Sequence, residues 1–173
     1  MNTRERWSKS LILAGYIAML FGALDPLEGS LVILPGSALV ALGTCFSQSD
    51  RQWISHRAWG VVLIGCGVAA LFGLSRVGGL GAKSGHSLWW GLLVLPYLLG
   101  WLVEIWGSGS PRWVQRAGVI VGLWYLMIPV IVLMRPNLSR RPFPMFLLGV
   151  GTLGLVIIGG CLWRLQRRPT PTR

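Results

Sequence analysis

Six long apolar stretches, separated by short charged connectors, constrain this fold more than any other feature of the sequence. A helix needs about 20 apolar residues to cross a bilayer. Only 12% of the residues are charged, about half the share of a soluble domain. The sequence therefore predicts an all-α membrane protein, a bundle of six transmembrane helices in one domain over residues 1–173. The predicted spans are about 10–24, 26–46, 58–74, 88–106, 113–134 and 145–163.

Basic residues set the expected orientation of these spans. Eleven of the sixteen Lys and Arg residues fall in the N-terminal head, the C-terminal tail and the connectors after spans two and four. Basic loops stay in the cytoplasm, so both termini are predicted to lie inside. Three prolines lie in the interior of predicted spans, at Pro35, Pro96 and Pro129. They do not fall at matching positions of two halves, so an inverted-repeat transporter is not indicated.

The segment from Gly22 to Ser30 predicts a tight hairpin between the first two spans. Its sequence is Gly-Ala-Leu-Asp-Pro-Leu-Glu-Gly-Ser. Asp25 has the position of an N-cap, with Pro26 first and Glu28 third in the following helix. Capping explains this spacing fully. The two carboxylates are also candidates for contact with a cation or a cationic partner.

The glycine-rich connector over 78–84 only superficially resembles a phosphate-binding loop. The Walker pattern requires Gly before Lys, whereas Ala82 precedes Lys83. A flexible external loop is the expected structure, in which Lys83 and His86 are candidates for contact with lipid headgroups or a partner.

Glu104 is the acidic residue that most invites a functional interpretation. It falls near the end of span four, where an ionisable group is costly and often functional. Because Trp101 and Trp106 flank it as expected interface anchors, its side chain is predicted to reach headgroup water or to pair with Arg112 at low cost. We therefore expect it to be ionised, and Glu104→Gln to leave assembly and growth close to wild type.

No cofactor or metal is expected. The three cysteines lack partners at metal-ligand spacing and are expected to be small packing residues. The two histidines fall in connectors on opposite predicted sides, and neither suits axial haem ligation. The net charge of +11 serves orientation and lipid contact rather than nucleic-acid binding.

The Gly22–Ser30 segment, together with Lys-Ser-Gly-His at 83–86 leading into Leu-Trp-Trp-Gly, resembles small bacterial inner-membrane proteins of no assigned activity. The resemblance covers about residues 15–106 and implies a bacterial source.

The expected function is that of a non-catalytic accessory, scaffolding or lipid-contacting subunit of a bacterial membrane assembly. Small-residue stripes at Ala14–Ala18–Gly22, Gly65–Ala69–Gly73 and Gly118–Gly122 suit close helix packing. The expected partners are membrane lipids and other membrane subunits. The alternative is a small transporter or channel that uses Glu104 and proline-kinked helices.

Overall fold

The computed structural model describes residues 3–25, 29–47, 51–77, 92–107, 110–134 and 144–167, without the side chains of 144–146. Every regular element in these ranges is a helix. The chain forms two compact units, Met1–Ser108 and Gly109–Arg173, here called the N-terminal and C-terminal units. The helices are α1 (Thr3–Gly22), α2 (Ser30–Phe46), α3 (Arg51–Arg76), α4 (Leu95–Trp106), α5 (Arg112–Met134) and α6 (Pro144–Gln166).

The α1–α2 hairpin is held by close backbone approach. The backbones of Gly15 and Gly36 face each other so closely that a methyl group on Gly15 would lie 2.5 Å from the Gly36 carbonyl oxygen. At the open end, the buried Ser8 hydroxyl donates a 2.7 Å hydrogen bond to the carbonyl oxygen of Gly43. The contact stripe on α1 thus includes Gly15 and Gly22, whereas Ala14 of the predicted stripe is exposed.

The turn before α2 differs from the predicted one. The helix begins at Ser30 with Gly29 at the N-cap, so the prediction that Asp25 occupies this position is wrong. The Gly29 N–H donates to the carbonyl oxygen of Asp25 at 2.8 Å. A side chain at Gly29 would overlap the carbonyl oxygens of Gly22 and Asp25, so the tight turn depends on a residue without a Cβ. Pro26 and Glu28 lie outside the described residues.

Helices α3 and α4 pack antiparallel, and both begin at unexpected places. α3 starts at Arg51, because the polar residues before Ala58 continue the helix instead of forming a connector. α4 starts at Leu95, which places Pro96 in its first turn rather than near its middle. A first-turn proline lacks an N–H that would have no partner within the helix, so it does not kink α4. Pro35 and Pro129, in contrast, lie inside α2 and α5.

The C-terminal unit consists of α5 packed on α6. Gly122 of the predicted Gly118–Gly122 pair faces Gly154, and a methyl group there would lie 3.0 Å from the Gly154 carbonyl oxygen. On α3, the predicted stripe of Gly65, Ala69 and Gly73 packs, among the described residues, only at Gly65, where a Cβ would lie 3.8 Å from Cδ1 of Leu34 on α2. Ala69 is exposed, and no described atom lies within 4 Å of a Cβ placed on Gly73.

Among the described residues, three helices are long and apolar enough to cross a membrane: α3, α5 and the part of α6 from Leu147 to Gln166. Large apolar side chains are exposed on all three, among them Phe72, Ile120 and Leu155. Such surfaces favour an apolar environment. The chain is therefore a helical protein with helices suited to a membrane, while the six-span bundle and its orientation remain predictions. Cys161 is buried, whereas Cys45 and Cys66 are exposed and do not fill the core as expected.

Candidate functional site

A buried ion pair joins the start of α3 to the end of α4. Nη1 of Arg57 lies 2.6 Å from Oε2 of Glu104. The same nitrogen donates a 2.7 Å hydrogen bond to the carbonyl oxygen of Glu104. That carbonyl belongs to the last turn of α4, where no partner exists within the helix. Arg57 therefore neutralises the carboxylate and also caps the C-terminus of α4.

The pair is enclosed by the N-terminal unit. Glu104 has no exposed surface, and Arg57 is only 6% exposed. The guanidinium carbon of Arg57 lies 5.6 Å from the ring centroid of Tyr16 on α1, in a cation–π arrangement. Three helices thus contribute to one charged cluster, which we call the Arg57–Glu104–Tyr16 cluster.

Glycine gives the carboxylate its space. A side chain at Gly60 would overlap Oε1 of Glu104 and lie 3.0 Å from its Cδ. Oε1 itself is buried without a hydrogen-bond partner among the described residues. A buried carboxylate with one unpartnered oxygen depends strongly on its remaining partner. The ion pair is therefore a positional constraint on α3 and α4.

Two expectations about this helix end are wrong. Glu104 does not reach water, because the packing of α3 against α4 buries it completely. Trp101 is not an interface anchor, since it is buried and its indole N–H donates a 3.4 Å hydrogen bond to the carbonyl oxygen of Met19. The carboxylate of Glu104 is therefore not solvated by water, and its charge is balanced by Arg57.

A cavity of about 280 Å³ lies beside the cluster, at the same end of α3 and α4. Its lining residues are Gln52, Trp53, His56, Arg57, Val103 and Gly107. His56 Nδ1 is 3.1 Å from the Gln52 carbonyl oxygen. Since a carbonyl only accepts, Nδ1 carries the proton, and Nε2 of the neutral ring is an acceptor. The cavity therefore offers groups for both positive and negative parts of a ligand.

Of the other residues predicted as sites, the structure describes Asp25 alone. Asp25 is exposed in the turn between α1 and α2. Lys83 and His86, like Pro26 and Glu28, lie outside the described residues. Within the described ranges, no group of three or more His, Cys, Asp or Glu side chains is placed to hold a metal ion.

Sequence reasoning missed Arg57, Tyr16 and Gln52. Arg57 was assigned only to the charge balance of a connector. One signal was present: Gly60 and Gly67 follow Arg57 at helical spacing, which marks a face of α3 that admits close neighbours. To identify the residue that faces Arg57, one must know the register of α3 against α4. A single sequence does not give this register.

Comparisons with protein-family models, with curated proteins and with solved structures found no match for this chain. The geometry described above is therefore the basis for any functional proposal.

Proposed function

We propose that this chain is a non-catalytic, multi-pass protein of the bacterial inner membrane. It would act as an accessory, scaffolding or lipid-contacting subunit of a membrane assembly, with six spans and both termini in the cytoplasm. The observation that carries the proposal is the Arg57–Glu104 pair: the buried carboxylate is neutralised inside the unit and fixed at a helix end. A group held in this way serves architecture rather than turnover.

The outer surfaces of the long helices support a role in contacting lipid or other subunits. α3, α5 and α6 expose large apolar side chains, and α3 also exposes Ala69 and Gly73 of the predicted stripe. Small residues let a neighbouring helix approach closely in a membrane. The apolar faces would contact lipid, and the stripe gives a neighbouring subunit a place for close helix packing.

The transporter or channel alternative has less support. It depends on Glu104 exchanging a proton or ion with water and on kinked helices around it. Glu104 is enclosed against Arg57, and Pro96 lies in the first turn of α4. Pro35 and Pro129 remain inside helices, but neither belongs to the cluster that contains Glu104.

Topology is tested by labelling single cysteines from outside the cell in a background without Cys45, Cys66 and Cys161. Cysteine at Asp25 or Ser84 should react, and cysteine at Ser49 or Ser110 should react only after the membrane is permeabilised. Asp25 is an exposed position of this turn, whereas the nearby Ser30 is 4% exposed and would escape the reagent. The reverse labelling pattern would contradict the proposed orientation.

The subunit role is tested by purification in a mild detergent, with identification of the proteins that accompany the chain. Gly73→Leu should reduce their recovery, whereas Phe72→Leu on the neighbouring exposed position should not. Gly73 has open space around it, so the added side chain leaves the fold of the unit intact. A monomer without companions, or equal recovery with both variants, would count against the subunit role.

A further inference from the structure

We propose that the cavity between the first turns of α3 and the end of α4 binds the headgroup of a zwitterionic phospholipid that carries a primary ammonium group. This inference rests on the proposed membrane location and adds the chemical class of lipid. The polar lining comes from Gln52, His56 and Arg57, while Trp53 and Val103 supply apolar surface. A volume of about 280 Å³ lies just below that of pockets for drug-sized ligands, so it suits a small group.

The position of the cavity favours a lipid over a soluble ligand. Arg51, Gln52 and His56 form the polar start of α3, and the apolar run of that helix begins at Ala58. On the other side, α4 ends at Trp106 beside the lining residue Gly107. Tryptophan and the change from polar to apolar sequence are typical of the headgroup level of a bilayer. The exposed side chain of Val103 then continues the cavity toward the acyl-chain region.

Charge balance favours a zwitterion over an anion. Arg57 lines the cavity, but its charge is offset by Glu104, so the lining residues themselves carry little net charge to attract an anionic lipid. A phosphate group would still find the guanidinium edge a suitable neighbour. An ammonium group would find Nε2 of His56 as an acceptor in the neutral ring and the indole of the lining residue Trp53 as an aromatic neighbour. These groups together match a phosphate and an ammonium held a few bonds apart.

The experiment measures lipid retention by the full-length protein with native mass spectrometry. Three lipids with identical acyl chains are compared, with ethanolamine, choline and glycerol headgroups on the phosphate. The ethanolamine lipid should bind best, because the choline ammonium has no N–H to donate to His56 and the glycerol headgroup has no cation. Strongest binding of the glycerol lipid, or equal binding of all three, would overturn the proposal.

Matched variants locate the effect in the cavity. His56→Phe should lower affinity for the ethanolamine lipid about tenfold, the effect of losing one hydrogen bond to a charged group. His56→Gln should recover part of it, since its amide oxygen is again an acceptor. Trp53→Leu should weaken binding, whereas Trp59→Leu, at an exposed tryptophan of α3 that does not line the cavity, should not. Equal effects of the two tryptophan variants would count against this site.

Two further arms separate this inference from its foundation. Soluble phosphoethanolamine should bind far more weakly than the lipid, and equal binding would overturn the assignment to a lipid. Extraction of the protein from membranes by alkaline carbonate would instead refute the proposed membrane location. If the protein stays in the membrane but shows no preference among the three headgroups, only the proposed lipid site is overturned. Arg57 is not substituted, because its removal would disturb the ion pair.

Discussion

The two units of this chain differ in the contacts that hold their helices together. In the N-terminal unit, α3 and α4 are joined by the buried Arg57–Glu104 pair, and Ser8 and Trp101 add hydrogen bonds from one helix to another. In the C-terminal unit, the described contact between α5 and α6 is centred on the approach of Gly122 to Gly154. In the N-terminal unit a buried charge pair therefore fixes α3 against α4, in addition to the close backbone approach that joins α1 to α2, whereas α5 and α6 meet through close backbone approach.

The difference bears on what each unit tolerates. A buried ion pair contributes little net stability, but removal of one partner leaves an uncompensated charge in an apolar interior. A glycine contact buries no charge. Where a methyl group added to the glycine meets a neighbouring side chain, that side chain can move by tenths of an ångström. The N-terminal unit should therefore respond sharply to polar substitutions. The C-terminal unit should respond gradually to changes in volume.

The largest expected effect is the loss of one partner of the ion pair. Arg57→Ala and Glu104→Ala should each lower the free energy of unfolding by about 3–5 kcal/mol. The paired change Arg57→Met with Glu104→Met should recover most of this loss, because no charge is left unpaired. The measurement is the unfolding of the single and the paired variants in detergent, followed by circular dichroism. Glu104→Gln should lower the free energy of unfolding less than Glu104→Ala and more than the paired change. Its amide oxygen still accepts a hydrogen bond from Arg57.

A control from the other unit sharpens this result. Gln115 is a buried polar residue of α5, and Gln115→Leu removes a neutral group of similar size. Its cost should be about 1–3 kcal/mol, as for other buried hydrogen-bonding groups. Single variants of the ion pair that cost no more than Gln115→Leu would show that charge burial does not distinguish the two units.

A smaller effect is expected at the close contacts of each unit. A methyl group on Gly67 would lie 2.6 Å from the Cα of Tyr97, a backbone atom that moves only with α4. Gly67→Ala should therefore cost about 1–3 kcal/mol through overpacking. At Gly122 the nearest atom is Cγ1 of Ile158, also at 2.6 Å, and the nearest backbone atom, the Gly154 carbonyl oxygen, lies at 3.0 Å. Gly122→Ala should cost less, as measured by thermal unfolding.

Each of these variants has a matched control on its own helix or on its partner. No described atom lies within 4 Å of a Cβ on Gly73 of α3 or on Gly159 of α6. Alanine has the higher helix propensity, so Gly73→Ala and Gly159→Ala should be neutral or stabilise by about 0.5–1 kcal/mol. A loss at Gly73 equal to that at Gly67 would mean that α3 responds to any added methyl group rather than to contact with α4.

The helices were predictable from the sequence to a useful degree, and their ends were not. Long apolar runs predicted helices near all six positions because no other structure buries such runs so simply. The predictions of the helix ends were wrong where the local sequence is compatible with two structures. Residues 51–57 are polar enough for a connector and also helical enough to extend α3. Pro96 is compatible with a kink or with a first turn, and only the observed start of α4 decides between them.

The site was less predictable because its parts come from distant positions in the chain. Glu104 was recognised by its rarity in an apolar stretch, a property of the sequence alone. Its pairing with Arg57 depends on the register of two antiparallel helices, and the contact with Tyr16 depends on the position of α1. A one-turn shift of α4 along α3 would move Glu104 by about 5.4 Å and remove the pair. Such a register follows from packing, which periodicity does not encode.

The smallest expected effect concerns a second ion pair, at the surface of α1. Lys9 Nζ lies 2.7 Å from Glu5 Oε1, one helical turn apart, and both side chains are more than half exposed. This pair is about as short as the buried pair of Arg57 and Glu104, but water surrounds it. Exposed pairs at this spacing contribute about 0.3–0.5 kcal/mol, because solvent screens them and two flexible side chains must be ordered. Glu5→Gln should therefore change the free energy of unfolding by no more than about 0.5 kcal/mol. This change should become smaller at high salt, because salt screens the exposed pair. A loss comparable with that of Glu104→Gln would show that charge pairing as such, rather than burial of the charge, stabilises the N-terminal unit.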